Sequence, residues 1–228
     1  MSTQNSKLFP VYVWEAPVRV WHWVMALCMV VQAVTGYLIG TPLDSVGGEA
    51  SDHFLFGYVR FAHFAAGYLF AVMFVLRVIW VFMGNRFARE IFTVPVRMVS
   101  GEWWGGLIDQ TKYYLFMKRQ GRPWQGHNPL AMAAMFFMYV LGTVFMILTG
   151  FALYGEGLGR DSWAFGAFTS WVMPLFGYSQ NVHTLHHLGM WYLIVFTLVH
   201  LYMVVREDVF SNETVISTMI SGWRVAKK

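Results

Sequence analysis

The sequence predicts an all-α fold, a transmembrane four-helix bundle forming a single domain over 1–228. Three observations predict it. The 228 residues are 57% apolar and only 12% charged, about half the charge of a water-soluble domain. Four apolar segments, roughly 18–40, 57–83, 129–154 and 185–206, are each long enough to cross about 30 Å of hydrocarbon. The connections between them differ sharply in charge. Helices are the spanning elements this pattern permits, because open strands in lipid leave backbone groups unpaired.

Each element has its own signal. Polar residues run to Lys7, and the apolar run that follows is long and lacks a small-residue cleavage site. A cleavable leader is therefore not expected. The connection 41–56 holds Asp44, Glu49 and Asp52 and no Lys or Arg. The connection after the second segment holds Arg86, Arg89, Arg97, Lys112, Lys118, Arg119 and Arg122. Within it, 101–119 carries Trp103, Trp104, Leu107, Tyr114, Leu115 and Phe116 beside Lys112, and reads either as an interfacial helix or as an aromatic interfacial loop. The third segment opens with Asn128-Pro129, an N-cap followed by proline at the first helical position. The next connection holds Arg160 and an aromatic stretch, 162–176, with the same two readings. The tail adds Arg224, Lys227 and Lys228. The positive-inside rule then places both termini and the long central connection in the cytoplasm, in a multi-pass membrane protein. No internal repeat is evident.

Composition excludes several functions. The net charge of +4 is concentrated in particular loops, a pattern that orients a membrane protein and does not indicate nucleic-acid binding. The one cysteine, Cys28, lies in an apolar segment. It excludes an internal disulfide, a CxxCH attachment, an iron–sulfur cluster and a multi-cysteine metal site.

Four histidines carry the chemistry: His22, His63, His186 and His200. An ionisable group at membrane depth is expensive and marks function by default. His186 and His200 are fourteen residues apart on one segment, about four helical turns and about 21 Å along one face. With the topology above, His22 lies near the inner face at the start of its segment, and His63 near the outer face at the start of the next. His186 is outer and His200 inner. The depths pair themselves, His22 with His200 and His63 with His186. Each level offers two imidazoles and no nearby carboxylate or thiolate, whereas zinc takes four protein ligands or three plus water. Opposed imidazoles suit an iron already held by a porphyrin, so the pattern points to two b haems engaged in electron transfer.

Other residues fit around this set. Gly36 lies fourteen residues after His22, on nearly the same face at the outer level, and offers a gap beside a porphyrin. Gly67, Gly142, Gly150 and Gly189 make room likewise or serve ordinary close helix packing. Propionates need cations, and bidentate arginine suits them. Arg60 is near the outer level, and Arg19, Arg77 and Arg206 near the inner one. Snorkelling to headgroups is at least as strong a reading for Arg19 and Arg206. His53 and His127 read as exposed or capping residues, and His183 is the rival to His186 as a ligand.

At these residues the chain resembles a known family, the b-type cytochrome subunit of membrane-bound uptake nickel-iron hydrogenases. The resemblance rests on Arg19-Val20-Trp21-His22-Trp23 running on to Thr35-Gly36, and on His183-Thr184-Leu185-His186-His187-Leu188-Gly189-Met190-Trp191 ending at His200. It extends over about 12–222. The gamma subunit of membrane formate dehydrogenase shares the four-helix plan and the ligand spacing. The resemblance implies that the four ligands fall on His22, His63, His186 and His200. It also implies that electrons arrive from the small and large subunits of a periplasmic hydrogenase, cross between two haems, and reduce a quinone (menaquinone or ubiquinone) near the cytoplasmic face. Gln32 departs from the family, where an aliphatic residue is usual.

The expected function is thus an electron-transfer subunit with no catalytic residue of its own, serving a hydrogen:quinone oxidoreductase. Loops 41–56 and 155–183 are the expected docking surface, and Trp21, His22, Arg77 and His200 the expected surroundings of a quinone. The alternatives are a cytochrome b subunit of formate dehydrogenase or another quinone-linked oxidoreductase, a small cytochrome that oxidises quinols unaided, and a haem-free anchor or transporter.

Overall fold

The computed structural model describes residues 8–43, 54–119, 121, 124, 126–211 and 214–227. Lys7, Asp44, Glu49, Asp52, His53, Arg122 and Lys228, used above, lie outside the described residues. Among those described, four helices are long and apolar enough to cross a membrane: Ala16–Gly40, Leu55–Met83, Pro129–Leu158 and Ser179–Phe210. These are the four segments read from the sequence, lengthened at their ends. The largest extension is at the last helix, where Ser179–Thr184 continue the helical backbone despite their polarity.

In chain order, strand β1 (Leu8–Tyr12) leads into α1 (Ala16–Gly40) and α2 (Leu55–Met83). Three short elements follow: α3 (Arg86–Arg89), a 3₁₀ turn at Glu90–Phe92 and α4 (Val94–Arg97). Next come α5 (Gly101–Tyr114), α6 (Pro129–Ala134), a π-type stretch at Met135–Val140 and α7 (Leu141–Leu158). A second π-type stretch, Phe165–Thr169, precedes α8 (Ser170–Phe176). Then α9 (Ser179–Ser211), α10 (Val215–Ser221) and β2 (Trp223–Lys227) complete the chain. Both aromatic stretches with two readings are therefore helical in part. The N-cap of α6 is Asn128, whose side chain accepts from Ala131 N, with Pro129 at the first position.

The chain divides into two compact units. The first is drawn from 1–22, 76–139 and 196–228. Its unforeseen feature is a two-stranded antiparallel sheet that joins the chain's ends, with Tyr12 opposite Trp223 and Val11 opposite Arg224. An isolated pair of strands is marginal in water. Here Val13, Trp14, Val18, Phe87 and Ala88 form a buried cluster beside it. Gly222 has φ 87°, and a Cβ there would meet Trp14 O at 2.6 Å, so the turn into β2 requires glycine. Asn85 fastens the same region, its Nδ2 donating to Val13 O (3.0 Å) while its Oδ1 caps α3 by accepting from Ala88 N (3.0 Å).

The second unit is drawn from 23–75 and 140–195. Its connection after α7 lies close against that helix: a Cβ at Gly155 would meet Ala164 C at 2.6 Å, and Thr169 Oγ1 donates to Ala152 O (2.7 Å). Tyr68, Phe151, Tyr154, Trp163 and Phe168 make a run of ring contacts at 5.1–6.5 Å between centroids. Val30, Val34, Leu188 and Val195 are exposed, as lipid-facing positions are, since lipid tails solvate them as well as protein does.

Candidate functional site: two histidine pairs

Each unit contains one histidine pair. In the first, His22 on α1 faces His200 on α9, with ring centroids 6.3 Å apart and planes at 51°. In the second, His63 on α2 faces His186 on α9, at 6.5 Å and 75°. These are the pairs read from depth. His183 is exposed, and its Nδ1 lies 3.1 Å from Ser179 O, so its ring is spent on its own helix. His187 accepts a hydrogen bond from Trp191 Nε1 (3.1 Å).

The pairs have different surroundings. In the second unit, Thr35 Oγ1 lies 2.9 Å from His63 Nδ1 and Thr149 Oγ1 lies 2.8 Å from His186 Nδ1. The residue after each threonine is a glycine lying against the same ring. A Cβ at Gly36 would meet His63 Cε1 at 3.3 Å, and one at Gly150 would meet His186 Cε1 at 3.2 Å. These two glycines therefore admit imidazoles. The other three candidates serve close packing: Gly67 against Gln32, Gly142 against Leu193, Gly189 against Met146. Gly67 thereby makes room for the amide of Gln32.

In the first unit the surroundings are aromatic and cationic. Phe196 stacks on His200 at 5.7 Å and 21°, and Tyr139, in the first π-type stretch, contacts both Phe196 and Trp21. Arg77 is 4% exposed. Its Nη2 donates to Ala88 O (2.6 Å), its guanidinium carbon lies 5.3 Å from the Trp21 ring, and its Nε and Nη1 are buried without hydrogen-bond partners. Arg206 is 6% exposed. It donates from Nη2 to Tyr113 O (2.6 Å), lies 3.9 Å from the centroid of Phe116, and likewise leaves Nε and Nη1 without partners. Burial of Arg206 corrects the snorkelling alternative. Its cage of Tyr113, Phe116 and Phe210 holds the head group inside. Arg19, also given that alternative, donates instead to Ile220 O. Arg60 in the second unit is exposed, its guanidinium 6.0 Å from the Phe64 ring.

Three functional features escaped the sequence reading. His127 is neither exposed nor a cap: its Nδ1 lies 3.2 Å from Glu90 Oε2, and its ring lies against Trp14 at 4.7 Å. Tyr114 donates to Glu207 Oε2 (3.2 Å) and accepts from Asn128 Nδ2 (3.0 Å). Burial, reinforced by the Glu207 carboxylate, pushes its phenol above the ordinary range, so it remains a donor at neutral pH. Thr149-Gly150 matches Thr35-Gly36, and that repeated dipeptide was the available signal.

A family model described as prokaryotic cytochrome b561 matches residues 13–222. The chain belongs to that family. It is 58% identical to the "probable Ni/Fe-hydrogenase B-type cytochrome subunit" of Azotobacter vinelandii, over 95% of this chain and 89% of that one. It is 52% identical to the protein so named in Cupriavidus necator, over 95% and 87%. It is also 47% identical to the "probable Ni/Fe-hydrogenase 1 B-type cytochrome subunit" of Escherichia coli K12, over 100% and 96%. The chain is accordingly a membrane cytochrome of b type, and its prosthetic group is haem b. The residues present suit that group. With metal–imidazole bonds of about 2 Å on either side, two rings facing one iron stand roughly 6 Å apart between centroids. Both pairs show that spacing. Among the described residues no cluster of three or more His, Cys, Asp or Glu could hold a metal ion, so a centre here takes its remaining ligands from elsewhere. The partnerless donors of Arg77 and Arg206 suit carboxylates.

Proposed function

We propose that this cytochrome binds two b haems, anchors a periplasmic nickel-iron hydrogenase to the bacterial inner membrane, and carries electrons from hydrogen oxidation to quinone. It has no catalytic residue of its own in this reading. The observation that carries it is the presence of two separate histidine pairs, each at the spacing of a bis-imidazole iron, on helices built for lipid. His22 and His200 would ligate one haem, and His63 and His186 the other. Bound haem supplies a one-electron couple tuned by its axial ligands and their hydrogen bonds.

The chain's own residues do the rest. His22 with His200, and His63 with His186, would hold the iron from opposed imidazoles and would leave no room on it for oxygen or substrate. Arg77 and Arg206 would neutralise propionates in the first unit, and Arg60 in the second. Trp21, His22, Arg77 and His200 would border the quinone, Trp21 offering an aromatic face 5.3 Å from the Arg77 head group. The β1–β2 pairing supports a reading in which both of these strands lie on one side of the membrane, in keeping with the charge pattern. Trp163, Trp171, Leu175 and Tyr178, exposed between α7 and α9, would meet the partner.

The names of the relatives favour hydrogenase as the partner over formate dehydrogenase. Affinity purification from solubilised membranes, with metal analysis, tests it. Nickel should co-purify with the chain, together with two haems per chain. Molybdenum in its place, or one haem per chain, overturns the proposal. Quinone reduction in an Arg77→Ala variant that keeps both haems tests the quinone site, and an unchanged rate removes Arg77 from it.

A further inference from the structure

A threonine hydroxyl has one proton and two lone pairs. Thr35 Oγ1 donates its proton to Val31 O (2.6 Å), and Thr149 Oγ1 donates its own to Phe145 O (2.8 Å). Both are back-bonds to the preceding helical turn. Neither hydroxyl then has a proton left for the imidazole beside it. The contacts at 2.9 Å to His63 Nδ1 and 2.8 Å to His186 Nδ1 must run the other way, with the ring N–H donating. Each ring is thereby fixed with its proton on Nδ1 and a lone pair on Nε2.

The glycine after each threonine completes the arrangement by letting the ring approach the helix backbone. One Thr-Gly dipeptide sits on α1 and the other on α7, each serving a histidine on another helix. The same device thus recurs on both sides of one pair. We infer that Thr35 and Thr149 are positioning residues that set the tautomer of His63 and His186 and hold the potential of the haem between them low. An acceptor on Nδ1–H raises the basicity of the ligating nitrogen, and a more basic ligand favours the oxidised iron. This inference rests on the ligand assignment proposed above.

The test is a redox titration of the purified complex bearing Thr35→Val, Thr149→Val, both together, or Thr→Ser at each position. Valine keeps the shape and removes the acceptor. The double valine variant should keep two haems per chain and raise the midpoint of one of them. At fixed potential its reduced-to-oxidised ratio should rise at least threefold, with each single variant giving a smaller rise. Serine should restore the original midpoint, which a merely structural role would not require. Ligand-field signals in electron paramagnetic resonance should shift for that same haem alone. Two haems with both midpoints unmoved in the double variant overturn the inference and leave the ligand assignment standing. Should the double valine variant lose a haem, the serine variants decide: an unmoved midpoint upholds the role of the hydroxyl, and a midpoint moved as far as in a haem-retaining single valine variant overturns it. A His63→Ala or His186→Ala chain that retains both haems overturns the assignment itself.

Discussion

The two histidine pairs have nearly equal ring separations, 6.3 and 6.5 Å, yet they are furnished in opposite ways. The second-unit pair is held by neutral hydroxyls and bare backbone: Thr35, Gly36, Thr149 and Gly150. The first-unit pair has Phe196 stacked on one ring, and its unit buries two guanidiniums among aromatic rings. Neutral acceptors on the ligands lower a haem's potential, while buried cations nearby favour the electron-rich state and raise it. The contrast teaches that one kind of histidine pair can be given two different environments by its surroundings alone.

The histidine substitutions should give the largest effect. His63→Ala or His186→Ala should drop haem content from two per chain to one, and His22→Ala or His200→Ala should remove the other. Optical spectra with haem quantitation check this. His183→Ala should retain both, and its loss of a haem with retention in His186→Ala would reverse the assignment.

Arg206→Met should come next, and its sign should depend on loading. Removing one partner from a buried charge pair costs about 3–5 kcal/mol, so the haem-loaded chain should lose thermal stability. The haem-free chain should be unchanged or gain, because it sheds a buried cation whose Nε and Nη1 have no partner. Thermal melts of both forms in detergent separate the two. Destabilisation of both forms alike would make Arg206 a packing residue.

Gly36→Ala and Gly150→Ala should act more gently. The new methyl would stand 3.3 or 3.2 Å from an imidazole carbon, so the ring must yield by a few tenths of an ångström. Haem content should hold while paramagnetic resonance of the second-unit haem broadens or shifts. Asn85→Ala should be smallest at the haems. Losing the α3 cap costs about 1 kcal/mol, with both midpoints unchanged in a redox titration.

Much of this was legible in the chain itself, for physical reasons. Four helices stand out because lipid demands long apolar runs. The pairs stand out because ionisable groups at membrane depth are few and their spacing on one helix is regular. Asn128-Pro129 marked a helix start because a cap is a local interaction. The features that escaped are non-local. Strand Leu8–Tyr12 pairs with Trp223–Lys227 from the opposite end of the chain, and nothing in either segment names the other. Arg206 is buried by Tyr113 and Phe116, almost a hundred residues away. Thr149 is a mid-helix threonine until His186 is seen beside it.

The sheet also imposes an order on synthesis. All the segments of the second unit, through Val195, are translated before His200, so its pair can close while the ribosome is still working. The first unit waits: β1 emerges first but has no mate until the last membrane helix has been made and Trp223–Lys227 follows it. Prosthetic-group insertion should therefore begin at the second unit's pair. A bulky fusion placed directly after Lys227 would obstruct the late step and leave half-loaded molecules.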